Sequence, residues 1–577
     1  MIFNLFQRPE VRPGKEAVYD WQRKVGHDLG LKATVFIGSN QLTDPKVVEK
    51  CRVDRDEFGD EIGIWLAPDE QAGGNMIWLV SEEDKLRSIK NTVENYKKAF
   101  GSYPVVMGNY VLDSSLIRII KDCCPSVKAV VAGCFEEGVK VFHGCNNSWY
   151  LFSEGMSWNP WYPSKGHSVR PAESEDDWAG VVAVPHLSRD LVFGYESRND
   201  FFASHPANIQ RGLANEGRVH DYDFNLCDQY RMQEDFNDGF SYYQIHVGSA
   251  WLSHHHNIID SDEVTQALYK ETLEYIASLR DEGKVEVMTF SEFADAYRKR
   301  VPIGKQDIGV GKDILMGSGK QYYWVYDTGY RALVDVFQGG SIGDLRPYAG
   351  KYDAFTGPDA PNGRYLMNSY PYLIQSQYRS GVKNHCFDGS YTTMYLEHGG
   401  EKLDMCRYNT KIEKVERTDN SSTLYLKPVE MKFDDGLEVT VQTVYRFDPA
   451  GRIEIIRRIL SVSDPSAELG LQEYVKGCYG FTEYPEDMKG IDLFVDGEKV
   501  LDYTYSNKSV SRKGAKSVGV TIPEITTDFS LNSDTAVSAE IKEGHLFEPY
   551  YTLKLNYTVN ADTKEVRSWL QIKKTQA

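Results

Sequence analysis

Leu86-Arg87-Ser88-Ile89-Lys90-Asn91-Thr92-Val93-Glu94-Asn95-Tyr96-Lys97-Lys98-Ala99-Phe100 carries apolar residues at intervals of three, four, three and four. That spacing puts Leu86, Ile89, Val93, Tyr96 and Phe100 on one helical face. Apolar runs at 62–66 and 105–107 flank the segment, so the stretch reads as strand, covering helix, parallel strand. Working outward, further strands are expected over 2–6, 33–37, 128–134, 181–184, 242–247 and 285–289, with helices over 15–30, 114–123 and 262–282. Seven or eight such units in the first 303 residues suit an α/β barrel, whose reactive groups sit at the C-terminal ends of the strands.

The pattern changes after Val301-Pro302-Ile303-Gly304. Leu437, Val439, Val441, Thr443, Tyr445 and Phe447 alternate with Glu438, Thr440 and Gln442, and turn signals stand at Asp435-Gly436, at Asp448-Pro449-Ala450-Gly451 and at Asp419-Asn420-Ser421-Ser422. Alternation of this kind is strand grammar. The fold class expected is α/β plus all-β: a distorted (β/α)7-type barrel over 1–303, a Gly-rich linker over 304–320 and a large antiparallel β-sandwich over 321–577.

The chain of 577 residues has a formal net charge of −19. It offers no basic footprint for phosphates, so neither a nucleic acid nor an anionic membrane surface is an expected partner, and its apolar runs fall far short of the roughly 20 residues that span a bilayer. Met1 to Phe6 read as a strand, not as a charged start followed by an apolar stretch. The expected compartment is therefore the cytoplasm, or the exterior for a chain whose leader has been removed. Nine cysteines without ligand-like spacing, two of them adjacent at Cys123-Cys124, argue for reduced thiols and against a structural zinc site. The sequence leaves oligomeric state open.

Three passages of the first half resemble the polysaccharide deacetylase superfamily and its NodB-type barrel. Tyr19-Asp20-Trp21 leads through Gly30 to Lys32-Ala33-Thr34-Val35-Phe36-Ile37; Gly59-Asp60-Glu61-Ile62-Gly63-Ile64-Trp65-Leu66 is similar to the family's glycine-histidine-glutamate segment; and Tyr103-Pro104 precedes Gly108-Asn109-Tyr110 and Asp113. The resemblance implies a carbohydrate-sized groove, with Trp65 as a sugar platform and Asn109 and Tyr110 along its wall. The family's metal set is missing. Phe6-Gln7-Arg8-Pro9-Glu10 has no Asp pair, and the two histidine positions hold Trp65 and Asp69; an indole N–H donates and cannot ligate. The second half resembles the galactose-mutarotase-type sandwich, through Asp335-Val336-Phe337-Gln338-Gly339-Gly340 and Leu345-Arg346-Pro347-Tyr348. Barrel followed by such a sandwich is similar to the order in α-mannosidase-type and family fifty-seven-type glycosidases.

Glycosidic cleavage ordinarily needs two carboxyl groups. Ala132-Gly133-Cys134-Phe135 runs straight into Glu136-Glu137, one of which would face the site as nucleophile or base. Asp69, after the third strand, and Asp190, in His186-Leu187-Ser188-Arg189-Asp190, are the candidate acids, with Arg189 and His186 placed to hold hydroxyls. His143, Asn147, Trp149, Trp158 and Trp161 fall in a ring- and amide-rich stretch suited to stacking on a sugar, and His246 ends a strand. His254-His255-His256 cannot readily face one ion together, so no metal and no cofactor is expected. The leading expectation is a glycoside hydrolase acting on carbohydrate. The alternatives are a deacetylase with relocated metal ligands and a barrel that binds carbohydrate without turnover.

Overall fold

The computed structural model describes the chain apart from residues 10–15, 68–76, 78–79, 136–156, 197–205, 207–208, 210–212, 214–218, 254–261, 349–371, 377–388, 419, 479–490, 505, 546–548 and 576–577. It divides into two units, Met1–Gly304 and Lys305–Ala577.

In the first unit, β1 (Ile2–Gln7), β2 (Thr34–Gly38), β3 (Glu61–Trp65), β4 (Val106–Leu112), β5 (Ala129–Phe135), β6 (Val182–Pro185), β7 (Tyr242–His246) and β8 (Glu286–Met288) make one parallel sheet. The order is β6-β5-β4-β3-β2-β1-β7, and β8 also pairs with β1. Near-continuous apolar runs such as Ile-Phe-Asn-Leu-Phe-Gln suit strands buried on both faces. β1 divides its edges among three neighbours: residues 2–6 register with β7, residues 2–4 with β8, and only Phe6 and Gln7 with β2. Asn4 helps hold β8, its Nδ2 donating to Met288 O at 2.7 Å.

The helices are α1 (Glu16–Asp28), α2 (Pro45–Phe58), α3 (Glu82–Phe100), α4 (Ser114–Cys123), α5 (Phe193–Glu196), α6 (Val219–Arg231), α7 (Asp262–Asp281) and α8 (Phe290–Arg300). The apolar face read from the sequence of α3 is inward: Ile89, Val93, Tyr96 and Phe100 are buried, and Tyr96 donates its hydroxyl to Ile62 O at 2.7 Å. Ser81 caps this helix, accepting from Asp84 N at 3.2 Å, and Gly101 ends it at φ 76°, in the left-handed region glycine tolerates best. α8 touches the paired strands β1 and β8 and also β5, which stands well apart from them in the sheet, so it lies within the curl; its Phe290, Phe293 and Tyr297 join Phe6, Phe36, Trp65 and Val131 in one core cluster.

The expected closed barrel is a half-barrel among the described residues, because β6 and β7 exchange no strand ladder. Side chains bridge that seam. Gln244 Nε2 donates to Pro185 O, and Gln244 N donates to Ser188 Oγ at 3.1 Å.

Among the described residues the second unit holds antiparallel sheets of five, six and ten strands. The first contains β9 (Asp307–Lys312), β10 (Gln321–Tyr326), β11 (Tyr330–Asp335), β12 (Ser341–Pro347) and β13 (Ile374–Gln375). β9 lies inside the stretch expected to be a linker, pairing from Asp307 to Lys312 with β10. Its glycines at 309 and 311 read as punctuation, but Ile308 and Val310 beside them are buried strand residues. The six- and ten-stranded sheets pack face to face, with Ser517–Ile522 and Thr527–Asn532 against Pro549–Val559. The alternation read at 437–447 is the strand Glu438–Asp448, paired with Arg452–Val462.

Three charges are sealed in the five-stranded sheet. Arg331 and Arg346 each contact the Asp344 carboxylate, at 2.8 and 3.0 Å, and all three side chains are fully buried. Removing the anion leaves two buried cations facing one another, so Asp344→Asn is expected to destabilise this unit by about 3–5 kcal/mol. Urea unfolding followed by near-ultraviolet circular dichroism measures it; a loss below about 1 kcal/mol would contradict this account.

Candidate functional site

Parallel strands deliver their C-terminal ends to one edge, and five of them place a polar or aromatic group there. Phe6 is the hub. Its ring stacks on Phe36 at 4.3 Å between centroids, meets Trp65 edge-on at 5.6 Å and lies 3.9 Å from the His246 ring. His186, just past β6, stands T-shaped to His246 at 5.1 Å. Arg8, two residues beyond Phe6 on the same strand face, lies over Trp65 at 5.1 Å and over Tyr110 at 5.3 Å. Gly133 lets β5 run close to this group, since a Cβ there would stand 3.1 Å from Tyr110 O and 3.7 Å from His186 Nδ1.

Arg8, Tyr110 and His246 are half-buried, while His186 is buried. The edge thus presents a guanidinium, an imidazole and a phenol in half-buried positions, with the His186 imidazole, the Trp65 indole and the Phe6 ring buried behind them. Such a set can donate hydrogen bonds to hydroxyls, and Arg8 is held by two ring faces in a fixed orientation.

Several expected site residues take other positions. Trp65 is 4% exposed; Arg8 lies over its ring and Gly108 packs against its edge, so it is a wall of the core and not an open platform. Asn109 is buried on the strand face opposite Tyr110, its Oδ1 accepting from Tyr110 N at 2.6 Å. Trp158 and Trp161 are buried, not displayed on a loop. Trp161 pairs with Ala183 beside β6, its Nε1 donates to Ser168 O at 2.9 Å, and its ring meets Phe135 at 4.7 Å. Asp190, expected to act as acid, is 1% exposed and caps α5: its Oδ1 accepts from Val192 N and Phe193 N at 2.8 and 3.0 Å, and its Oδ2 from the Tyr222 hydroxyl at 3.5 Å. Arg189 is buried beside it, and its carbonyl accepts the Tyr230 hydroxyl at 2.8 Å. Glu136, Glu137, Asp69, His143, Asn147 and Trp149, along with His254-His255-His256, lie outside the described residues. The strands that lead to the three acids end at Phe135 and Trp65.

Arg8 was not singled out from the sequence. Its signal was there: it lies on the same face as Phe6, just past a strand buried throughout.

Metal-like proximity occurs elsewhere, where donor atoms of His27, Asp54 and Asp60 lie within 4.8 Å of one another. Those groups are already matched. Arg23 Nε donates to both Asp54 oxygens at 2.7 and 2.8 Å, His27 Nε2 contacts Asp60 at 2.8 Å, and Ala33 N donates to Asp60 Oδ1 at 2.7 Å. The cluster is a clasp joining α1, α2 and the start of β3, at the opposite end of the strands from Arg8.

Behind His246, between β7, α6 and α7, lies a cavity of about 50 Å³ bordered by His246, Gln244, Asp223, Thr265 and Thr272. Asp223 is buried; Thr272 donates to its Oδ2 at 3.0 Å, while Oδ1 has no partner among the described residues. Burial pushes the carboxyl up from 3.8 to about 7, against the lowering effect of the Thr272 hydroxyl.

Comparison with known proteins finds no matching family model and no matching curated protein. Solved structures do match. A galactose mutarotase-like protein from Clostridium acetobutylicum is similar over 46% of this chain and 98% of its own, with 10% identity and a TM-score of 0.31. A 4-alpha-glucanotransferase from Thermococcus litoralis is similar over 99% of each chain, with 11% identity and a TM-score of 0.29. A Mycobacterium smegmatis chain assigned as a polysaccharide deacetylase matches over 52% of this chain and 92% of its own, with 12% identity and a TM-score of 0.28. Likenesses this loose transfer no residue role to the chain.

The raised carboxyl has a consequence for stability. The folded chain keeps the Asp223 proton after the unfolded chain has released it, so the contribution is full below 3.8 and is lost as pH rises through about 7. Asp223→Asn should therefore reduce the fall in Tm between about pH 5 and about pH 8 relative to the wild type. Differential scanning calorimetry at the two values checks it; an unaltered fall would mean that Asp223 is already charged at the lower pH.

Proposed function

We propose that the first unit is a carbohydrate-active enzyme that cleaves glycosidic bonds at the edge where β1 and β3 to β7 end. The observation that carries this reading is the convergence of Arg8, Tyr110, His186 and His246 around the buried rings of Phe6 and Trp65. Fixed donors at that edge suit a neutral polyhydroxyl substrate, and a net charge of −19 disfavours an anionic one.

Cleavage needs two carboxyl groups beside these donors. Glu136 follows β5 directly, so Glu136 or Glu137 is the proposed nucleophile or base, and Asp69, four residues beyond β3, the proposed acid. Asp190 is left out because it caps α5. Arg8 and the imidazoles would orient hydroxyls of the sugar so that the scissile oxygen meets the acid, a contribution of geometry and not of covalent chemistry.

The test is sugar release from a panel of aryl glycosides and oligosaccharides. One of Glu136→Gln and Glu137→Gln is expected to lower kcat by about 10²–10⁴-fold, and the other to change it little. Unchanged rates in both variants would overturn the assignment.

A further inference from the structure

His246 borders two spaces. One side of its ring packs on Phe6 and faces His186 at the proposed site; another side lines the cavity that Asp223 also lines. We propose that Asp223 is a positioning residue for His246, acting through water held in that cavity to bias the orientation and protonation of the imidazole.

Three observations support the linkage. First, Asp223 Oδ1 is a buried acceptor with no partner among the described residues, a situation that is costly unless something donates to it. Second, about 50 Å³ accommodates one or two water molecules, and the lining is polar enough to hold them: Ser188, Gln244, Thr265 and Thr272 all border it. Third, the other ionisable groups that face Asp223 are held neutral. Burial raises Tyr222 and Cys227 on the same helix, Tyr243 on β7 and Tyr269 on α7. Among the lining residues, only Asp223 and His246 can therefore change charge near neutrality. On its other side His246 faces His186, with Arg8 held over the neighbouring Trp65.

A carboxylate linked to one edge of an imidazole favours the tautomer that donates toward it and raises the affinity of the ring for a proton. In the proposed enzyme this would fix which nitrogen of His246 meets the substrate. That catalytic meaning rests on the function proposed above; the linkage between the two groups does not.

Nitrogen-15 histidine NMR of the full chain tests the linkage, with His246 assigned from the signal lost in His246→Gln. In Asp223→Asn the titration midpoint of His246 is expected to fall by about one pH unit, with His186 shifting less. Thr272→Val removes the donor to Oδ2 and favours the protonated carboxyl; it should lower the His246 midpoint by a smaller amount, and it decides the matter alone if Asp223→Asn does not fold. Identical His246 midpoints in the wild type and the folded variants would overturn the proposal. A chain that shows the shift but turns over no glycan keeps the linkage and loses the function, whereas turnover with an unmoved His246 overturns only the linkage.

Discussion

The first unit depends on how β1 shares its hydrogen-bonding edges. One edge is taken by β7 along residues 2–6; the other is split, with β8 beside residues 2–4 and β2 beside residues 6 and 7. A strand whose lower and upper halves have different neighbours forces the sheet to curl, because β2 and β8 cannot both lie flat alongside it. The split also leaves Phe6 at the junction, in contact with rings from β2, β3, β7 and α8. The donor-rich edge is therefore set by backbone register, and its side chains take their places from a buried ring and not from mobile loops.

Most of this scaffold was legible. All eight strands arise from apolar runs in the sequence, with ends displaced by a few residues, and α4 runs over the stretch expected. What was not legible has physical causes. α2 buries Val47, Val48 and Cys51 together with Asp54, and a face with a carboxylate as one of its four buried residues has weak periodicity; Arg23, from another helix, makes Asp54 buriable. Closure could not be read either, because among the described residues the seam is bridged through Gln244, whose side chain reaches Pro185 O and whose backbone N–H reaches Ser188. In the second unit the glycines around β9 concealed a strand whose buried residues are Ile308 and Val310.

The site was partly readable for the same reasons. His186, His246 and Tyr110 lie at or near strand ends, where sequence position alone says which edge they reach. Arg8 gains its meaning only from rings on β3 and β4, neighbours that no local pattern announces. The rings of Trp158 and Trp161 misled in the opposite sense. An aromatic residue in a segment rich in Asn, Ser and Pro suggests exposure, yet these indoles are anchored in the core, one of them by hydrogen bonding to Ser168 O. A buried Asp190 likewise follows from chain geometry: an Asx turn that starts a four-residue helix engages its Oδ1.

The split edge of β1 also bears on the order in which the fold can be completed. Asn4 and Met288 are 284 residues apart, and Ile2 to Asn4 have no neighbour on that edge until β8 arrives. During synthesis residues 2–4 must therefore wait without a strand neighbour until β7 is made, and with one edge bare until β8 follows, while nearly the whole unit emerges from the ribosome, and such long-range closure makes folding slow. Chaperone dependence should consequently concentrate on the period before Met288 is translated, with the nascent strand's bare amides and carbonyls as the vulnerable surface.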